Sequence, residues 1–229
     1  MEVEENKLDN PVWHSLNETH QNCSLEYDAG KFYRPQYCPF GGFINIEHSA
    51  KGTEAYSSLI DNFYVVGEMP LFGDVLTLHK NLVCNQMVLE VPIPIEINGA
   101  IVELTSQKQK DALFDLVNLV QPGYFKTRTS DLGKYFGIYK NGELVAVTGE
   151  RMKMTGFTEV SAVVTHPNHT RKGYAKQLIK RTTDQIFSEN KIPYLHVAES
   201  NTGAINLYEK LGFRTRRKIS FWNLRTAKQ

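Results

Sequence analysis

Residues 161–179 of the chain read SAVVTHPNHTRKGYAKQLI, and this stretch passes from a strand through a polar turn into a helix. Its first part ends the β-branched run 158–166, which lies between Gly156 and Pro167 and has apolar residues on both faces, as a central strand does. From Gly173 onward, apolar residues recur in adjacent pairs at a spacing of four, with basic residues opposite. The stretch therefore predicts a strand followed by a long amphipathic helix that opens at a glycine.

The turn in this stretch has the composition of a phosphate-binding site. A glycine at a helix start lets backbone N–H groups approach a ligand closely, and the helix N-terminus adds positive potential. The charged residues between positions 160 and 183 are all basic: Arg171, Lys172, Lys176, Lys180 and Arg181. We therefore expect a ligand with several phosphates, although one glycine taken alone would favour a simple tight turn with solvated bases.

The neighbouring segments predict an α/β arrangement around a mixed sheet. Upstream, residues 105–120 have the spacing of an amphipathic helix, and a hairpin turns at an Asn-Gly pair (141–142). Downstream, a strand at 192–199 is followed by a short helix capped by Ser200 or Asn201. The segments FRTRRKI and SFWNL are predicted as two last strands.

Length and composition exclude several classes of protein. With 229 residues, of which 41% are hydrophobic and 22% charged, the chain lies between one domain and two and is neither disordered nor fibrous. The net charge of +1 gives no sign of a nucleic-acid partner. Acidic residues concentrate in positions 1–30 and basic residues in 214–229, and we interpret both as solvated termini.

Targeting signals and common catalytic motifs are missing from the sequence. The acidic N-terminus lacks the features of a signal peptide, and no apolar run approaches the ~18 residues of a membrane span, so we expect a cytoplasmic protein without a membrane partner. Cys23, Cys38 and Cys84 form no CxxC pair, which argues against a disulfide scaffold. GxGxxG, GxxxxGK, GxSxG and HExxH do not occur, so the chemistry must come from another kind of site.

A second segment completes a recognisable pattern. ESNTGAINLYEKLGF (199–213) contains N-x-x-A-x-x-L-Y-x-x-L-G-F in full. Together and in this order, the two segments resemble the signature of the GNAT superfamily of acyl-CoA-dependent N-acyltransferases, over about residues 101–226. The first segment departs slightly, with Thr170 in place of the usual Gln or Arg and Ala175 in place of a second glycine. The resemblance implies the GNAT fold, a central mixed, mostly antiparallel sheet flanked by helices.

The resemblance also implies a site for acetyl-CoA as co-substrate, without a metal. The pantetheine arm would pair with the backbone of the strand at Val163, Val164 and Thr165. The pyrophosphate would rest on backbone N–H groups of the turn and helix start, namely Arg171, Lys172, Gly173, Tyr174, Ala175 and Lys176, and Asn201 is assigned to the same site. His166 and His169 have no third ligand in sight and are not interpreted as a metal site.

Three residues are candidates for catalysis. Tyr208 stands where the family places the general acid that protonates the departing thiolate, although its spacing also fits a core aromatic. An attacking amine must first lose its proton, since its pKa is about 8 to 10. Glu159, with a pKa raised by burial, or His196 would serve as base, unless either only satisfies a local hydrogen bond and a chain of waters removes the proton.

The expected reaction is direct transfer of an acetyl group from acetyl-CoA to a primary amine of a small molecule or peptide in a ternary complex. The alternative is an acyl-CoA-binding sensor or interaction module that has the same fold and no turnover. Arg214, Arg216 and Arg217 would flank sheet positions or line the ribose phosphate, and a nucleic-acid role for them is disfavoured. The sequence leaves the acceptor and the choice between monomer and dimer open.

The chain is predicted to divide into an N-terminal α/β half, residues 1–100, and a catalytic GNAT domain, residues 101–229. The first half is predicted to hold a helix begun at Pro11, a helix near 53–61 and short strands near 63–66, 75–78 and 87–91. This layout resembles the glycine N-acyltransferase-like branch, in which a degenerate acyltransferase copy precedes the working one. The acceptor pocket would then come from residues 124–139 and the first half.

Overall fold

Eleven strands form one mixed sheet in the computed structural model, which describes residues 5–227. The strands are β1 (Ser24–Tyr27), β2 (Gly30–Tyr33), β3 (Phe40–Phe43), β4 (Asn62–Val66), β5 (Leu76–Val88), β6 (Val102–Glu103), β7 (Tyr135–Lys140), β8 (Glu143–Met154), β9 (Phe157–Thr165), β10 (Ile192–Ala198) and β11 (Arg214–Thr226). The helices are α1 (Pro11–Asn17), α2 (Ser49–Ser57), α3 (Gln107–Val120), α4 (Tyr174–Ser188) and α5 (Thr202–Lys210). Their order across the sheet is β1-β2-β3-β4-β11-β5-β10-β9-β8-β7-β6.

Local signals in the sequence explain where the helices and the hairpin lie. Ser106 and Gln109 form a reciprocal capping box at the start of α3. The Asn201 side chain accepts the Ala204 N–H at 3.1 Å and so caps α5. Asn141 and Gly142, at φ 52° and 84°, make the tight turn between β7 and β8. These predicted elements are confirmed.

Two long strands, β5 and β11, were each predicted in pieces. β5 runs unbroken through the exposed polar residues 79–81, where the hydrophobic pattern suggested a gap between two short strands. β11 joins FRTRRKI and SFWNL into one strand with a bulge at Arg216. The prediction of separate strands is wrong because β5 and β11 pair with each other along their whole length. Their backbone hydrogen bonds keep the chain extended even where the side chains lack the apolar pattern of a strand.

The order of the strands is nearly symmetric about the β5–β11 pair. β3 and β4 pair in parallel with α2 between them in the chain, as β9 and β10 do with α4 between them. The next strand of each half then crosses to the other half, so that β5 pairs with β10 and β11 pairs with β4. Both halves therefore contribute to one sheet by exchanging a strand. The division at residue 100 stays a prediction.

The basic residues near the C-terminus contact acidic residues near the N-terminus. Asp9 Oδ1 accepts hydrogen bonds from Arg216 Nη1 and Arg217 Nη1, both at 2.7 Å. Arg214 pairs with Glu90 and, at 3.9 Å, with Glu5. Arg214, Arg217 and Asp9 are about half exposed, so these residues are solvated as predicted, and they also form ion pairs that the sequence did not indicate. The predicted acidic residues Glu2 and Glu4 and the basic Lys228 lie outside the described residues.

A buried histidine connects the two halves. His20 Nε2 donates to the Leu132 carbonyl at 3.0 Å, and Nδ1 lies 3.0 Å from Ser15 Oγ and 2.9 Å from Tyr33 OH. Because a carbonyl only accepts, the proton of the neutral ring is on Nε2, and Nδ1 accepts from a hydroxyl. Burial lowers the pKa of His20 to about 4.

We expect His20 to make the stability of the fold sensitive to mild acid. Its pKa is about 4 when folded against an ordinary value of 6.5, so the unfolded state binds the extra proton between these values. The unfolding free energy keeps its full value above pH 6.5 as far as His20 is concerned, and protonation of the unfolded state lowers it by about 2 kcal/mol by about pH 5. Urea unfolding of wild type and His20→Gln at pH 7.5 and 5 measures this, with the exposed His79→Gln as control. An unchanged pH dependence in His20→Gln would contradict the assignment.

Candidate active site

The site lies where β9 and β10 separate. They pair in parallel only between residues 157–159 and 192–194, and the strands diverge beyond that point. The edge of β9 that faces β10 therefore has no strand partner from Val160 onward within the described part of the chain. A cavity of about 380 Å³ occupies the opening and is lined by residues of both halves of the chain.

A bulge in β9 shapes this opening. Thr148 of β8 faces both Ala162 and Val163, and Ala162 has a φ of 51°, a left-handed conformation that costs a non-glycine residue about 1 kcal/mol. Consecutive residues of β9, Ser161 to Val163, consequently line the cavity, whereas a regular strand would turn every second side chain away. Nothing in the sequence identified this alanine.

The glycine turn forms a second cavity beside the first. Gly173 has a φ of 76° and no side chain caps the helix that it opens, so the first N–H groups of α4 are available to a ligand. The cavity, of about 230 Å³, brings together all six residues predicted to hold the pyrophosphate, Arg171, Lys172, Gly173, Tyr174, Ala175 and Lys176. Thr165, predicted for the pantetheine arm, also lines it. Val163 lines the first cavity, whereas the Val164 side chain is buried in the core against α3.

Tyr208 and Asn201 reach the first cavity from α5. Tyr208 is 7% exposed and packs edge to face on Phe213, as a core aromatic would. It also lines the cavity, as the catalytic interpretation requires. Burial raises its pKa to about 12, and the hydroxyl therefore keeps its proton at neutral pH. Asn201 both caps α5 and lines the cavity.

Glu159 forms the buried centre of a charged network at the cavity wall. Its two oxygens accept from Arg151 Nε and Nη2 at 2.8 and 2.9 Å, and Oε1 also accepts from His196 Nδ1 at 2.8 Å. Burial alone would raise the pKa of Glu159, but the charge of Arg151 and these hydrogen bonds lower it to about 2. The predicted raised pKa is wrong, because a bidentate arginine outweighs desolvation.

Gln86 fixes the tautomer of His196. The Gln86 amide must direct its NH₂ to the Leu8 carbonyl at 2.7 Å, because a carbonyl only accepts hydrogen bonds. Its oxygen must face Arg216 Nη1 at 3.1 Å, because a guanidinium only donates them. The same NH₂ lies 3.1 Å from His196 Nε2, which must then be the unprotonated nitrogen. Both ring nitrogens of His196 are therefore bonded. Sequence reasoning missed Arg151 and Gln86, because Arg151 lies in the charged run 150–153 and the partners of Gln86 are far away in sequence.

The FR47-like protein family model matches residues 135–222. A solved GNAT-family structure from Novosphingobium aromaticivorans has a TM-score of 0.86 and 28% identity, covering 96% of this chain and 99% of that one.

Two curated relatives match shorter stretches. Spermidine N(1)-acetyltransferase of Vibrio cholerae is 44% identical over 54 residues, which are 22% of this chain and 31% of that protein. UPF0157 protein YqkA of Bacillus subtilis is 29% identical over 135 residues, 59% of this chain and 36% of that protein. The chain thus spans about a third of the length of each curated relative that it matches.

The fold is that of the GNAT acetyltransferases, so the predicted fold class is confirmed. Together with the FR47-like match, it supports membership of the GNAT superfamily. The glycine N-acyltransferase-like branch stays a prediction. Within residues 5–227, no three His, Cys, Asp or Glu side chains are grouped to hold a metal ion. None of the helices in that range is long and apolar enough to span a membrane.

We expect the Arg151–Glu159 pair to be sensitive to removal of one partner only. Glu159→Leu leaves a buried guanidinium without its carboxylate and should cost about 3–5 kcal/mol of unfolding free energy at pH 7, measured by urea denaturation. The double variant Arg151→Met/Glu159→Leu should recover much of this loss, and Glu143→Gln, on an exposed residue of β8, is the control. A double variant as unstable as the single one would contradict this account.

Proposed function

We propose that the protein is an N-acetyltransferase that moves an acetyl group from acetyl-CoA to a primary amine. One observation carries this proposal: an uncapped helix N-terminus behind Gly173 adjoins an unpaired strand edge that leads to the Tyr208 side chain. A phosphate anchor, a slot for an extended arm and a proton donor thus follow one another in the order in which acetyl-CoA needs them. The fold and family match support the same class of enzyme.

The residues around the turn fit the pyrophosphate of the coenzyme. Backbone N–H groups at the start of α4 and the side chains of Arg171, Lys172 and Lys176 surround the second cavity. The opened edge of β9, including Val163 and Thr165, offers its backbone to the pantetheine amides as an added strand would. Bound there, acetyl-CoA supplies a thioester whose carbonyl carbon the amine attacks and whose C–S bond then breaks.

Tyr208 is proposed as the general acid. Its hydroxyl is protonated at neutral pH and lines the cavity in which the thiolate departs, so it can donate a hydrogen bond to the sulfur and then its proton. The neutral amine loses one proton as the amide forms, and this proton reaches the Tyr208 phenolate through solvent, so that neutral amine and acetyl-CoA give amide and CoA thiol with no net proton change. An ammonium substrate first releases one further proton to solvent.

Glu159 and His196 are proposed to act as a pair at the wall of the cavity. Glu159 is ionised, with a pKa of about 2, and both ring nitrogens of His196 are already bonded. These partners favour the third alternative from the sequence, in which a chain of waters removes the amine proton. We further propose that the pair positions the nucleophile. A cytoplasmic location remains a prediction.

Substitution of Gly173 tests the coenzyme site. Gly173→Val places a β-branched residue at a φ of 76° and distorts the helix start, so we expect acetyl-CoA affinity to fall by about 100-fold or more in calorimetry. Gly142→Val is a matched control, because Gly142 also has a positive φ of 84° but lies in the β7–β8 turn. Unchanged affinity in a folded Gly173→Val protein would refute the assignment of the turn.

Substitution of Tyr208 tests the acid. In Tyr208→Phe we expect kcat to fall by about 10²-fold with little change in KM for acetyl-CoA, because only the transition state needs the proton. Thiol release with a panel of amines is the measurement, and Tyr139→Phe, a half-buried tyrosine outside the cavity lining, is the control. Wild-type turnover would remove Tyr208 from the mechanism, and acetyl-CoA binding without turnover of any amine by the wild type would favour a sensor.

A further inference from the structure

The side of the first cavity away from the glycine turn is aromatic. Phe40, Tyr124, Phe125 and Phe221 line it, and we call these four residues the aromatic wall. Phe40 lies 6.3 Å from Tyr124 and 5.7 Å from Phe221 between ring centroids, and Phe221 lies 5.2 Å from His196. Phe40, Phe125 and Phe221 are 1–5% exposed, so among the four residues the half-buried Tyr124 has the most ring surface left for a ligand.

The charges around this cavity are already balanced. Glu159 is the one acidic side chain among the described lining residues, and Arg151 holds both of its oxygens. Arg151 is itself stacked on Phe40 at 4.7 Å. An acceptor that carries a second ammonium group would therefore find no free carboxylate here and would meet a guanidinium instead. A polyamine is disfavoured for this reason.

The size of the cavity allows a ring. Its volume is about 380 Å³, whereas an apolar cavity of about 150 Å³ is enough to hold benzene. Space thus remains for the end of the pantetheine arm beside Asn201 and Tyr208, which line the opposite part of the same cavity. Tyr124 is only half-buried and forms the outer part of the aromatic wall.

From these observations we infer that the acceptor is a primary monoamine with an aromatic or ring-sized apolar body. This inference rests on the proposed function, because it assigns the body of the substrate to the aromatic wall and its amine to the neighbourhood of Glu159, His196 and Tyr208. The preference arises from burial of the ring against Phe40, Tyr124 and Phe221 and from the absence of an uncompensated carboxylate among the described lining residues.

Three amines test the preference in a thiol-release assay with acetyl-CoA. We expect kcat/KM for 2-phenylethylamine to exceed that for propylamine by about tenfold or more, since only the former buries a ring. Spermidine, which offers several cationic groups and no ring, should be no better than propylamine. A kcat/KM for spermidine or propylamine that equals or exceeds the value for 2-phenylethylamine would overturn the inference. The proposed N-acetyltransferase function would stay in place.

A variant pair ties the preference to the aromatic wall. Tyr124→Ala should lower the ratio of kcat/KM for 2-phenylethylamine to that for propylamine by about tenfold, because only the amine with a ring loses its contact. Tyr27→Ala, a half-buried tyrosine that packs on Phe32 and Tyr56 in the other half, is the matched control and should change neither value. A loss of equal size for both amines in Tyr124→Ala would contradict a ring-specific contact.

Calorimetry in the presence of CoA separates this inference from the proposed function. Saturable binding of 2-phenylethylamine that Tyr124→Ala weakens supports the aromatic acceptor site even where no acetyl group is transferred, and that combination overturns the enzymatic proposal alone. Acetylation of spermidine without binding of 2-phenylethylamine overturns the acceptor class alone. Failure of both binding and turnover for all three amines overturns both.

Discussion

The early end of the β9–β10 pairing is the constraint on which the rest of the site depends. Pairing ends after Glu159, between two irregularities in the β8–β9 register, one at residues 151–152 of β8 and one at the left-handed Ala162 of β9. The separation removes hydrogen-bond partners from one strand edge, opens the larger cavity and admits Tyr208 to it. The strained Ala162 therefore lies on a strand edge whose backbone N–H and C=O groups are free to hydrogen-bond a ligand.

Elements whose causes are local could be predicted from the sequence. The helix that begins after Ser106, the Asn-Gly turn and the glycine that opens α4 each depend on residues a few positions apart, and each lies where it was expected. The predicted phosphate residues likewise meet at one cavity, because a single turn carries them. The predictions that were wrong depend on contacts between paired strands. The continuity of β5 and β11 comes from their mutual pairing, and the low pKa of Glu159 comes from Arg151 on the neighbouring strand of a hairpin.

The two halves of the chain differ in what they contribute. The first half repeats the strand order of the second, but α2 begins after His48 without a glycine turn, and its nine residues are shorter than the fifteen of α4. It nevertheless supplies Phe40, Leu82 and Cys84 to the larger cavity. Under the proposed function, the first half forms a wall for the acceptor beside a coenzyme site built by the second half, in which both signature segments lie.

The exchange of β5 and β11 has a consequence for how the molecule folds. Each half ends in a strand whose neighbours belong to the other half, so neither can complete its part of the sheet before both are synthesised. Contacts between residues so far apart in sequence slow folding, because the chain between them loses entropy before their hydrogen bonds and packing contribute free energy. Until then β4 and β10 present open edges that could pair with other chains. The central pairing of the sheet can therefore form only after β10 and β11 have been synthesised.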